Sequence, residues 1–385
     1  MSLTSTEKLL EKLISFATVS RDSNMQLIEF IQDYLNDLGI QCSLTHNDEG
    51  NKANLYAMFG PDNTPGVMLS GHSDVVPIDG QDWTVDPFKM SEQGERLYGR
   101  GTTDMKGFIA SVLAMVAEAR NRKLTRPIHL AFSYDEEIGC VGVQKMLDEL
   151  EGSDHLPAFC IIGEPTEMQV AVAHKGKTGA ICTCRGVEAH SALATQGLNA
   201  IYLANDVIGE IRRIQQQVID NTRHDPFYNV PYTTLHVGTI EGGTALNIIP
   251  KECSFKFEIR NLEDDDPSEI MDQIRDFADS LVSDHRANFP SAEIEIEIFN
   301  QYPGLSTKPE EEVVRWVQSL VDSDRHIKLA FGTEGGLFQK RLEVPTVVCG
   351  PGSMDQGHKP DEFIAREELA RCDRFLHRLL DEISA

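Results

Sequence analysis

Residues 67–77 read V-M-L-S-G-H-S-D-V-V-P. The stretch opens apolar, at Val67, Met68 and Leu69, and closes on His72 and Asp74. Residues two apart in a strand point to one face. A buried strand that ends by presenting an imidazole and a carboxylate together is laid out like the floor of a metal site. The carboxylate can accept the N–H of a ligating histidine or stand behind it. A histidine near the end of an apolar strand is also a common structural residue. The pair becomes informative because ligand-type residues recur at the ends of later apolar segments.

Working outward, residues 4–16 and 26–38 carry apolar side chains at helical spacing, the second run stopping at Gly39. Residues 40–45 and 53–59 read as strands. Residues 99–107, G-R-G-T-T-D-M-K-G, place Asp104 in a loop before a helix over 108–120. An aspartate there can be a helix cap. The glycines on either side favour an unusual backbone path, which a cap alone does not require. A buried strand over 128–133 runs into Asp135, Glu136 and Glu137, adjacent carboxylates that repel unless a cation or solvent compensates. Another over 159–163 runs into Glu164. In open α/β sheets the C-terminal edge of the strands is where sites are built.

Near Lys175 the pattern changes. Residues 177–185, 233–240, 253–260 and 292–299 read as alternating strands, with helices over 197–217 and 267–282. Their β-α-β-β-α-β order is the ferredoxin-like split motif. The α/β pattern resumes after 309. The expected fold is α/β, a mostly parallel mixed sheet flanked by helices (1–176 and 302–385), interrupted by an inserted ferredoxin-like α+β domain (177–301).

The chain has 385 residues and a formal net charge of −26. That excess of acid argues against nucleic acid or an anionic membrane surface as partner. No run approaches the ~20 apolar residues of a membrane span. The N-terminus lacks a basic start followed by an apolar core, so no signal peptide is expected. Eight scattered cysteines with no C-x-x-C pair predict a reduced, cytoplasmic protein, with Cys182 and Cys184 acting as small hydrophobes on one strand face.

His72, Asp104, Glu137, Glu164 and His358 form a mixed nitrogen and oxygen set, suited to zinc, cobalt or manganese. Five ligands suit two metals about 3.5–4 Å apart with one carboxylate shared. Asp74 and Glu136 each neighbour a ligand candidate. One can orient His72 and the other can handle a proton.

The runs G-H-S-D-V-V-P, Y-G-R-G-T-T-D-M-K-G, D-E-E-I-G, G-E-P-T, E-A-H-S-A and G-H-K-P-D-E follow one another along the chain. In that order they resemble the di-zinc aminoacylase and carboxypeptidase family, which includes acetylornithine deacetylases and succinyl-diaminopimelate desuccinylases. The likeness spans at least residues 69–361. The runs P-G-S-M-D-Q-G-H-K-P-D-E and F-G-T-E-G-G look most like the deacetylase branch. Gly335-Gly336-Leu337-Phe338 departs from the desuccinylase pattern.

The resemblance implies a catalytic domain interrupted by a lid or dimerisation domain, and two divalent metals, zinc first and cobalt second. It implies that Asp104 bridges them, that His72 and Glu164 complete one and Glu137 and His358 the other. Glu136 would be the general base and Asp74 the support of His72. The peptide bond after Asp104 would be cis. His190 would reach an active site, often the partner subunit's, in a homodimer. Asn247 and Arg260 match substrate-binding positions, Arg260 as a bidentate clamp for an α-carboxylate. Glu334 is the candidate partner for a side-chain ammonium. The expected substrate is a small N-acyl amino acid, N2-acetyl-L-ornithine foremost. A non-catalytic relative on the same fold would have lost ligands or base, and here every one of those positions is filled.

Overall fold

The computed structural model describes residues 3–221 and 224–385. They divide into two compact units: Met1–Ala173 with Leu305–Lys328 and Thr333–Ala385, and His174–Gly304 with Leu329–Gly332. The short segment Leu329–Gly332 thus groups with the inserted unit although it lies beyond it in sequence. Close packing explains this, because a Cβ on Gly332 would lie 2.3 Å from the Tyr302 ring.

The first unit is built on a nine-stranded mixed sheet. Its centre is parallel, with Val67–His72 between Ile128–Ser133 and Phe159–Pro165, and Thr346–Gly350 beyond the latter. Antiparallel Ala53–Phe59 and Cys42–His46 finish one edge. Every residue of Val67–His72 and Ile128–Ser133 is buried, as parallel strands covered on both faces require. Helix Gly107–Ala119 is buried almost all round and packs on helices Ser5–Ile14 and Arg366–Glu382. Gly163 permits the close approach of that helix to the sheet, since a Cβ there would lie 2.0 Å from the Phe108 ring.

Three local readings are corrected. Asp104 lies not in an open loop but in a single wide turn, Thr102–Lys106, that runs straight into Gly107–Ala119. Asp104 and Met105 leave helical geometry inside it, and the bond between them is cis. Gly335-Gly336 open the helix Gly335–Leu342; their low helix propensity hid it from the sequence pattern. The helix Val143–Leu150 and the strand Val170–His174 had no counterpart in the sequence reading, although Val143, Met146, Leu147 and Leu150 are buried at helical spacing.

The second unit has a four-stranded antiparallel sheet in the order Thr234–Gly242, Glu252–Arg260, Lys177–Arg185, Glu293–Tyr302. With helices Ala200–Asn221 and Pro267–Arg286 it follows the β-α-β-β-α-β order. Cys182 and Cys184 share the buried face with Phe255, Phe257 and Ile274, their sulfurs 3.9 Å apart. All eight cysteines are free thiols. No helix among the described residues is long and apolar enough to cross a membrane.

Candidate metal centre

The parallel strands deliver their C-terminal residues to one place. His72 ends its strand, and Glu164 lies next to last in Phe159–Pro165. Glu136 and Glu137 follow Ile128–Ser133, and His358 follows Thr346–Gly350. Asp104 lies between the two histidines. Its Oδ1 is 3.0 Å from His72 Nε2 and its Oδ2 3.1 Å from His358 Nε2. His72 Nε2 also lies 3.6 Å from Glu164 Oε1, and His358 Nε2 3.0 Å from Glu137 Oε2. Among the described residues, two sets have ligand atoms mutually within 4.8 Å: His72, Glu136 and Glu164, and His72, Asp104 and Glu137. One carboxylate facing two imidazoles, each backed by another carboxylate, is the geometry of a shared ligand.

His72 is held with Nε2 directed inward. Its Nδ1 donates to the backbone carbonyl of Asp74 at 2.9 Å, which leaves Nε2 as the nitrogen that could ligate a metal. The Asp74 carboxylate is the more distant acceptor, at 3.6 Å. The same carboxylate has further partners. Oδ1 accepts the Glu136 N–H at 3.1 Å, and Oδ2 accepts the Glu137 N–H at 3.4 Å and the Ser20 hydroxyl at 2.6 Å. Asp74 therefore stands behind His72 and also holds the backbone of both glutamates.

The electrostatics favour a cation. Burial pushes the Glu136 carboxyl up, with Glu137, Glu334 and Asp74 adding to the rise against His72. Burial and Asp104 raise Glu137, and the same pair of causes raises Glu164 well above the carboxylate range. Burial alone would raise Asp104, but hydrogen bonds from His358 and His72 hold it below its usual value. Donating to the Asp104 and Glu137 carboxylates pushes His358 up to about 11. Burial would lower His72, and Glu164, Asp104 and Asp74 together outweigh it. Two imidazoles do not balance Asp74, Asp104, Glu136, Glu137, Glu164 and Glu334. Glu137 Oε1 is buried with no hydrogen-bond partner. This nitrogen and oxygen donor set, over-supplied with carboxylate, fits divalent metal ions.

Glu334 is 1% exposed, at the start of helix Gly335–Leu342. It makes no capping hydrogen bond with its side chain, and its Oε1 lacks a partner. Burial raises its carboxyl to about 7, moderated by Ser133 and His72. The residue belongs to the floor of the cluster.

The remaining candidates lie in the second unit. His190 is exposed, and its Nδ1 accepts the Ala192 N–H at 3.1 Å. A neutral imidazole accepting at Nδ1 carries its proton at Nε2, so its outward face is a donor. Asn247 is placed beside it by backbone pairing, with Ser191 N donating to Asn247 O at 3.0 Å and a bridge between His190 and Ile248. Arg260 ends its strand, where Nε donates to Glu258 Oε1 at 3.1 Å and a terminal nitrogen donates to Tyr302 Oη at 3.2 Å.

Residues 68–382 match the sequence profile described as peptidase family M20/M25/M40. The chain belongs to that family. It is a metal-dependent amidohydrolase of the M20 type, and its large mixed sheet flanked by helices is the M20 architecture. An acetylornithine deacetylase from Shigella sonnei is 33% identical over 343 residues, 89% of this chain and 86% of the relative. A metallo-carboxypeptidase of the M20 family from Sulfolobus solfataricus superposes with a TM-score of 0.77 at 17% identity, covering 98% of this chain and 99% of that one. The Bacillus subtilis YXEP protein, a dinuclear metal-binding M20 peptidase, superposes at 0.68 with 15% identity over 98% and 97% of the two chains.

In this M20 chain one functional residue had no role assigned from sequence. Glu362 is 1% exposed, and its Oε1 accepts three backbone N–H groups, from Gly101 at 3.1 Å, Thr103 at 2.9 Å and Asp104 at 3.2 Å. Its Oε2 takes the buried Arg100 guanidinium at 2.7 Å. It holds the turn that aims Asp104. Its signal was its place in G-H-K-P-D-E, four residues after a ligand candidate. Lys106, fully buried, reinforces the same turn by donating to the carbonyls of Leu13 and Phe16 at the end of helix Ser5–Ile14.

Proposed function

We propose that this enzyme hydrolyses the amide of N2-acetyl-L-ornithine, giving ornithine and acetate as a step of arginine biosynthesis in the cytoplasm. The observation that carries the hydrolytic reading is Asp104, one oxygen toward His72 and the other toward His358, with Glu136 beside them. The Shigella sonnei relative supports the choice of substrate.

His72, Glu164, Glu137 and His358 would hold two divalent ions, zinc first and cobalt second, with Asp104 between them. When bound, such ions lower the pKa of water and polarise a carbonyl. Glu136 takes the proton of the attacking water and returns it to the leaving nitrogen. Its burial and acidic neighbours raise its basicity toward the value a base needs. His190 donates Nε2–H to the developing oxyanion. Because His190 lies in the inserted unit, the reading includes a homodimer in which that histidine serves the partner subunit's site. Arg260 pairs with the α-carboxylate and Asn247 hydrogen-bonds the substrate.

Glu334 is the proposed partner of the ornithine ammonium. Its burial favours a second reading, an amidohydrolase, desuccinylase or dipeptidase whose N-acyl substrate needs no amine there. A hydrolysis panel with metal-reconstituted enzyme separates them. Acetylornithine should be cleaved faster than acetyl-norvaline, which lacks only the amine, and faster than succinyl-diaminopimelate. Equal rates on the first two substrates would favour the second reading.

A further inference from the structure

We propose that Cys140 is a positioning residue whose thiol donates to Glu136 and fixes which carboxylate oxygen is left to take the proton. The proposal rests on Glu136 being the base. Cys140 is fully buried, and its Sγ lies 3.3 Å from Glu136 Oε1. Burial, with Glu136 and Glu334 nearby, pushes the thiol well above its usual range, so it stays S–H and can only donate to the carboxylate. With Oε1 engaged, Oε2 is the oxygen left to act.

The backbone supports this role. The turn D-E-E-I-G-C folds back on itself, with the N–H groups of Gly139 and Cys140 both donating to Glu136 O at 2.8 Å. Cys140 closes it at φ 55°, in the left-handed region where a side chain is disfavoured. If the turn alone mattered, glycine would suit position 140 better, having no Cβ to crowd. The chain keeps a side chain there, and that side chain reaches the carboxylate four residues earlier. The choice of thiol is also chemically apt. A thiol is a weak donor. It orients a carboxylate without withdrawing basicity as an ammonium or guanidinium would.

The test compares Cys140→Ala, Cys140→Gly, Cys140→Ser and Glu136→Gln with the wild type, all metal-loaded. It measures kcat, KM, metal content and melting temperature on acetylornithine, or on the best N-acetyl amino acid of the panel. Cys140→Ala and Cys140→Gly should lower kcat about tenfold, with KM and metal content unchanged. Cys140→Gly should melt no lower than the wild type, because it relieves the left-handed position. Cys140→Ser, which restores a donor, should return kcat to within about threefold of the wild type. A Cys140→Gly protein with wild-type kcat overturns the proposal, as does a loss of kcat that follows loss of metal or of melting temperature. Glu136→Gln separates the two levels. If it is inactive while Cys140→Gly is fully active, only the role of Cys140 falls. If it keeps its activity, the assignment of the base falls first.

Discussion

The candidate site residues of the two units differ in how far they are enclosed. In the first, His72, Asp104 and Glu164 have side-chain exposures of 1%, 5% and 6%, and fixed partners surround them, while His358 forms the open edge of the cluster at 46%. In the second, His190 is exposed and Arg260 is only partly covered. Groups suited to hold a metal must be aligned before any substrate arrives, because metal geometry tolerates little displacement. Groups that clasp a substrate must stay open to solvent until it enters. The first unit therefore invests in hydrogen bonds that carry no chemistry, such as the three backbone amides gathered by Glu362. In the second, the Ala192 N–H on His190 is a local contact, and Arg260 is tied to Tyr302 and Asn247 to Ser191.

The sharpest test of this division is Glu136→Gln. On the proposed roles, a proton carrier at Glu136 and a ligand at Glu137, it should lower kcat by roughly 10²–10⁴-fold while both metals remain bound. Elemental analysis beside kinetics checks it, and lost metal would merge the two roles. Glu362→Gln should act on stability instead. Removing a charge from a buried pair with Arg100 costs about 3–5 kcal/mol, and metal content should fall as the Asp104 turn loosens. A urea midpoint equal to that of the wild type would show that the turn holds without it.

His190→Ala should lose about 10²–10³ in kcat with stability and metal content untouched, as expected of an exposed oxyanion donor. Mixed with Glu136→Gln protein under subunit exchange, it should regain about a quarter of wild-type activity, because half the dimers are hybrid and each holds one intact site. If subunits exchange and no activity returns, the site is built within one chain.

The smallest effect is a pH dependence of metal-free protein. Burial raises Glu334 from 4.5 to about 7 and pushes Glu136 and Glu137 in the same direction. A carboxyl raised on folding binds its proton more tightly in the folded state. Its stabilisation is complete below the unfolded value and is lost as pH rises through the folded one. Metal-free protein should therefore melt lower at pH 8 than at pH 5, and added zinc should raise the melting temperature more at pH 8, where it replaces protons already lost. A flat apo profile over this range would mean that these carboxyls are not desolvated as the structure places them.

Much of this was readable in one dimension. The strands Ala53–Phe59 and Ile128–Ser133 match their expected spans residue for residue, because period and burial agree there. The ligand-type residues were legible for the same reason, each standing where an apolar run stops. Helix Val143–Leu150 was equally periodic but passed without notice behind the acidic turn. Glu362 was visible only as a letter in a motif, since nothing local distinguishes a carboxylate that collects amides some 260 positions away. The strand-end positions and the chemistry of the donors come from residue type and spacing, which are local properties. Which oxygen meets which imidazole, why Asp74 also holds the backbone of the glutamates, and why Leu329–Gly332 sits with the inserted unit come from contacts between segments far apart in the chain. Those contacts were decided by packing and by the demand that every buried charge find a partner.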